Sequence, residues 1–146
     1  MALLRCSSGS GGGGSLSLKD FYYDKVFNGG FSVNYNITGV SGRATVSEGK
    51  ISIDTSGKVG YIYLDVTALT TNSNPYANCN IQTINSTYLP RNSSGNVLSV
   101  VPLVTDSSSD ALDTWHILYG STCYMELVKS TVANRHYIVY GMWSYQ

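Results

Sequence analysis

KISIDTSGKVGYIYL, residues 50–64, decides the fold. Ile51 and Ile53 alternate with Ser52 and Asp54, and Tyr61 and Tyr63 alternate with Ile62 and Leu64. An apolar period of two belongs to a strand, whose successive side chains point to opposite faces, and not to a helix. Between the two runs, Thr55-Ser56-Gly57-Lys58 supplies turn formers, so the stretch predicts a β-hairpin. The aliphatic side chains Ile62 and Leu64 are the better core candidates, which turns Tyr61 and Tyr63 outward.

The same period recurs on both sides of this hairpin. Further strands are expected near Phe21 to Phe27, Phe31 to Thr38, Arg43 to Glu48, Asn78 to Ile84, Val97 to Val104, Trp115 to Tyr119, Cys123 to Lys129 and His136 to Tyr145. Asn28-Gly29-Gly30, Glu48-Gly49-Lys50, Ser93-Ser94-Gly95-Asn96 and Gly120-Ser121-Thr122 supply turns between them. The single helical candidate, Ser108 to Thr114, is short and rich in Ser and Asp, which suits a capped turn better. Many short strands with regular turns predict an all-β fold, an antiparallel β-sandwich or jelly-roll-like single domain over residues 16–146.

Residues 1–15, MALLRCSSGSGGGGS, have a different composition. Gly and Ser offer almost no apolar area to offset the entropy of ordering them, so Ser7 to Ser15 reads as a tether. It carries an apolar hook from Met1 to Cys6, with Leu3, Leu4, Arg5 and Cys6 as anchoring residues for a partner. The hook is shorter than the roughly 7 to 15 apolar residues of a signal-peptide core, and no run reaches the roughly 20 of a membrane span. A chain made in the cytoplasm and not inserted in a membrane is therefore expected.

Charged residues make up 12% of the 146 residues and the formal net charge is zero. No basic stripe is present to neutralise phosphates, which argues against nucleic acid as a partner. Ser, Thr, Asn and Tyr replace the missing charge, a composition suited to surfaces that meet other surfaces without desolvating Lys or Glu. Cys6, Cys79 and Cys123 are few and far apart, so they read as small buried apolar side chains, with a Cys79 to Cys123 bond as the open alternative.

Catalytic groups are sparse. His116 and His136 are the two imidazoles, and neither sits in a nucleophile elbow or a zinc-protease pattern. Asp113 and His116 lie three apart, a spacing that in a strand sends the two side chains to opposite faces. Asp20, Asp24, Asp106, Asp110 and Asp113 lack the spacing and glycine of an EF-hand, and Gly9 to Gly14 lacks the Lys-Ser/Thr ending of a phosphate loop. The expectation is a non-enzymatic protein with no cofactor and no metal. Asn36-Ile-Thr38, Asn85-Ser-Thr87 and Asn92-Ser-Ser94 match the glycosylation triplet, as a chain this rich in Asn, Ser and Thr does by composition alone.

Twelve Tyr and two Trp carry the remaining signal, because alternation along strands leaves some aromatics on a face. Tyr61, Tyr63, Trp115 and Trp143, with Tyr76 at the centre of the Thr70 to Asn78 loop, are the candidate contacts for a receptor or for sugar rings. The competing reading packs them into the core, and folds Tyr76 back as a lid.

The hook and tether of residues 1–15, followed by a Tyr-, Ser-, Thr- and Asn-rich β body ending on Tyr137 to Gln146, resemble small virion proteins of tailed bacteriophages, of tail-fibre, baseplate or head-decoration type. The resemblance lies in composition and layout. It implies a β-sandwich module, often a homotrimer, anchored to other virion proteins by its N-terminal segment and presenting distal loops to a host-surface glycan. The chain has no heptad or repeat shaft of the long-fibre kind, so decoration or plugging of a larger assembly is an alternative role. Two further readings are a stand-alone carbohydrate-binding module and a small cell-wall hydrolase working through His116 or His136.

Overall fold

The computed structural model describes residues 17–71, 77–98, 103–106, 115–119, 123–127 and 132–146. Its frame is an antiparallel sheet of β1 (Val33–Gly39), β2 (Ala44–Asp54), β3 (Val59–Ala68), β4 (Ala77–Ile81), β5 (Leu103–Asp106), β6 (Trp115–Tyr119), β7 (Cys123–Leu127) and β8 (His136–Ser144). The spatial order is β5-β8-β3-β2-β1-β4-β7-β6. Five of these, β5-β8-β3-β2-β1, form a curled half-barrel. β1 belongs to both arms, since Val33 to Asn36 pair with β2 whereas Ile37 to Gly39 pair with β4.

The hairpin over residues 50–64 forms as its alternation predicts. Ile51 lies opposite Ile62 and Asp54 opposite Val59. In the turn, Asp54 Oδ1 accepts from the backbone N–H groups of Ser56 and Gly57 at 3.0 and 2.9 Å, and Lys58 takes the positive φ of 56°. Tyr35, Ile51, Ile53, Ile62, Leu64, Val66, Tyr137, Val139 and Trp143 bury themselves on one face, the inner one. Cys79 and Ile81 of β4 join them, with Ile84 and Leu89 from the segment that follows. Both arms of the sheet therefore feed one core.

Two sequence expectations give way. Glu48-Gly49-Lys50 is not a hairpin turn but the middle of the eleven-residue β2. Val46 pairs with Val66 and Glu48 with Asp65, leaving Ser47 as the extra residue of a β-bulge. One extra residue reverses the parity of the strand, so Ala44 and Val46 before it and Ile51 and Ile53 after it all reach the same core. Gly49 is required by packing, because a Cβ there would meet Ile37 and Val46 at 2.9 Å and Leu64 at 3.0 Å.

The second correction lies at Phe21 to Phe27, which is not a strand. It belongs to a helical segment, α1 (Leu18–Tyr23), continued by a wider π turn at Asp24–Asn28. A capping box starts it, with the Ser17 side chain accepting from the Asp20 amide and the Asp20 carboxylate accepting from the Ser17 amide. Tyr22, Tyr23, Val26 and Phe27 then fall on one helical face, at the i, i+1, i+4, i+5 spacing. Gly30, with φ of 69°, releases the chain into β1.

At the strand ends the differences are smaller. β4 stops at Ile81, three residues before the expected Ile84. Of the expected Val97 to Val104 strand, Val97 makes a single bridge with Arg91, Leu103 and Val104 belong to β5, and residues 99–102 lie outside the described residues. The helical candidate Ser108 to Thr114 lies outside the described residues.

Candidate functional site

The outer face of the sheet carries the most distinctive chemistry. Alternation puts Tyr61, Tyr63, Asp65 and Thr67 of β3 there, opposite Met142, Tyr140, Ile138 and His136 of β8. The helical segment lies across this face and forms a second, smaller core of Val26, Tyr63, Ile138 and Tyr140. Its aromatic rings meet at defined angles. Tyr23 stacks on Phe27 at 4.9 Å between centroids, both approach Tyr63 edge-on at 5.0 and 5.9 Å, and Tyr22 lies 5.5 Å from Tyr140.

One buried polar contact ties the helix end to the sheet. Helix carbonyls near a C-terminus lack intrahelical donors, and the Val26 carbonyl lies 2.7 Å from the Ser52 hydroxyl on the outer face of β2. Asn34 Oδ1, on the paired position of β1, is 2.6 Å from the same hydroxyl, whose one proton rotates between the two acceptors. Asn34 Nδ2 donates in turn to the Phe31 carbonyl at 2.8 Å. Ser52 is fully buried, so this small network holds the end of the π turn in place.

Burial also sets the acid-base state of the face. The Tyr63 hydroxyl is pushed up to about 12 by burial first and then by the negative charges of Asp65 and Glu48. Tyr22 and Tyr61 are raised for the same first reason. These phenols stay protonated donors at neutral pH. At the rim, His136 Nε2 lies 2.8 Å from Asp65 Oδ1, both partly exposed. An imidazole oriented by a carboxylate is a frequent part of acyl-transfer sites, and the same contact also serves as a hydrogen bond that ties β3 to β8 at the rim.

The inner face holds Trp143, whose indole lies against Gly60 on the paired strand. A Cβ on Gly60 would collide with the Trp143 ring. Trp143 Nε1 donates to the Tyr88 carbonyl at 2.7 Å, and Tyr88 meets Tyr145 edge-on at 5.4 Å.

The sheet thus brings Tyr61 and Tyr63 together on one face and places Trp143 on the other. Tyr63 and Trp143 are each 8% exposed, whereas Tyr61 is half-buried, stacked on Phe31 at 5.5 Å with the rings 10° apart. Trp115 opens β6 opposite Leu127, with its side chain outside the described part, and His116 follows it opposite Glu126. Tyr76 and the anchoring residues Leu3, Leu4, Arg5 and Cys6 lie outside the described residues. Cys79 is a buried free thiol, pushed up to about 12 by burial, as expected of a cysteine used for packing.

The helix is what the sequence reading missed. Ser17-Leu18-Lys19-Asp20 is a capping-box signature that was there to be found, but the strand preference of Phe21, Tyr22 and Tyr23 outweighed it. Among the described residues no group of three or more His, Cys, Asp or Glu side chains gathers to hold a metal, and no helix is long and apolar enough to cross a membrane. Comparison of the chain with known protein families, curated proteins and solved structures gives no match.

Proposed function

We propose that this chain is a bacteriophage virion structural protein, a non-enzymatic module anchored through its N-terminal segment and presenting its surface to a host glycan. The observation that carries the reading is the joint between tether and sheet. Residues 7–15 lead into a helix that starts on a two-way cap and ends on the buried Ser52 contact, with aromatic rings packed along its length. A pull on the tether is thereby passed to β2, β3 and β8 rather than to a loose end.

In this reading the curled sheet acts as a β-sandwich of jelly-roll type, its arms joined at β1 over the shared core, and the protein assembles as a homotrimer on other virion proteins. The virion is its place of work. Sugar contact falls on Tyr61, whose ring, stacked on Phe31, offers a flat apolar surface to the C–H face of a sugar. Tyr76 and Trp115 complete the assigned contacts, with the buried Tyr63 and Trp143 shaping the surface from beneath.

Two experiments test the two halves of the proposal. Deleting residues 2–15 is expected to leave a folded domain that no longer cosediments with assembled particles, and normal incorporation of the truncation would refute anchoring. Replacing Tyr61 with Ala is expected to lower binding to host-surface polysaccharide by roughly tenfold, the scale of one lost aromatic contact. Unchanged binding removes Tyr61 from the contact surface.

A further inference from the structure

The helix covers the outer face incompletely. Leu18 is 63% exposed, Phe21 42% and Met142 58%. Phe21 and Met142 are linked through rings, because Phe21 meets Tyr22 at 5.5 Å, Tyr22 meets Tyr140 at 5.5 Å, and Met142 follows Tyr140 two residues along the same face of β8; Leu18 precedes Phe21 by the i, i+3 helical spacing. Tyr61, paired with Met142 across the strands, extends the patch to Phe31. A contiguous apolar surface of this kind marks a contact site.

We infer that, in the free chain, this patch is the seat of the chain's own hook, Met1 to Cys6. The occupant follows from where the chain leads. The tether joins the domain at Ser17, immediately before the patch residue Leu18 and about 6 Å along the helix from Phe21. Ten residues, Ser7 to Leu16, separate hook from cap, and a Gly/Ser chain of that length has an r.m.s. span of roughly 16 to 19 Å. That span exceeds the rise of about 6 Å from Ser17 to Phe21, so the tether reaches the helical part of the patch. A tether matched to its target holds the hook near the patch at roughly millimolar effective concentration. Met1, Ala2, Leu3 and Leu4 are the only apolar run in the segment, and the patch members are apolar or aromatic, with the Lys25 ammonium 5.7 Å over the Phe21 ring at the patch edge.

Parking the hook hides it until assembly. The inference concerns the free chain, and the incorporation experiment above does not depend on it. To test it, a nitroxide is attached to Cys6 of the full chain carrying Cys123→Ser, with the buried Cys79 left in place, and amide resonance broadening is read. Broadening at Phe21, Tyr22 and Met142 is expected, independent of protein concentration and abolished by Leu3→Ser with Leu4→Ser. Broadening confined to residues next to Ser17 would overturn the inference. So would broadening that appears only when labelled and spin-carrying chains are mixed, which would make a second copy the occupant. Hydrogen exchange of the unmodified chain against the 2–15 deletion gives an independent reading, with faster exchange around Phe21 and Met142 expected in the deletion and identical rates contradicting the seat.

Discussion

Cys79 and Tyr63 show what burial does to single residues. Both are pushed up to about 12, from ordinary values of 9.0 and 10.0, Cys79 by burial alone and Tyr63 by burial first and then by nearby carboxylates. Raised folded-state values mean that the unfolded chain loses these protons first as pH increases. Their contribution to stability is complete below about pH 9, declines above it, and is gone by about pH 12. The urea midpoint should therefore fall across that window, with tyrosinate absorbance rising as the protein unfolds; a flat midpoint would contradict the burial of both groups. Residue-scale burial was partly legible beforehand. Ile62 and Leu64 are core residues as the alternation required, whereas the contact of Trp143 with Gly60 is made across two strands distant in sequence and has no local signal.

Ser52 couples one whole element to another, the helical segment to β2. Its hydroxyl holds the Val26 carbonyl at the end of the π turn, and Ser52→Ala leaves that buried acceptor without its donor. A loss of about 1 to 3 kcal/mol is expected, measured as a lowered urea midpoint together with faster amide exchange in the helical segment. A loss within experimental error would mean that the helix is held by its rings alone. The elements that sequence reading placed well are those with an unbroken period of two: β3, β6, β7 and β8 begin where expected. It failed where two signals shared the same residues. The phase change at Ser47 looks the same in sequence whether the strand turns or bulges, and the aromatics of the helix favour strands until the sheet offers them a face to cover.

At the scale of the whole molecule, among the described residues, the inner face of the sheet packs against the segment carrying Ile84 and Leu89 and the outer face is partly covered by the capped helix. Antiparallel architecture was legible because the period of two dominates the body; the site was less so, because the ring partners of Tyr63 come from a helix whose capping box is followed by strand-favouring aromatics. The helix joins tether to sheet only if it is as firm as the sheet. Native-state hydrogen exchange tests this most directly. The Asp24 amide, which donates to the Asp20 and Phe21 carbonyls, and its neighbours in the π turn should exchange with the same free energy and denaturant dependence as Ile62 and Leu64 of β3. Exchange of the helical amides well ahead of β3, with no dependence on denaturant, would contradict the joint on which the anchoring proposal rests.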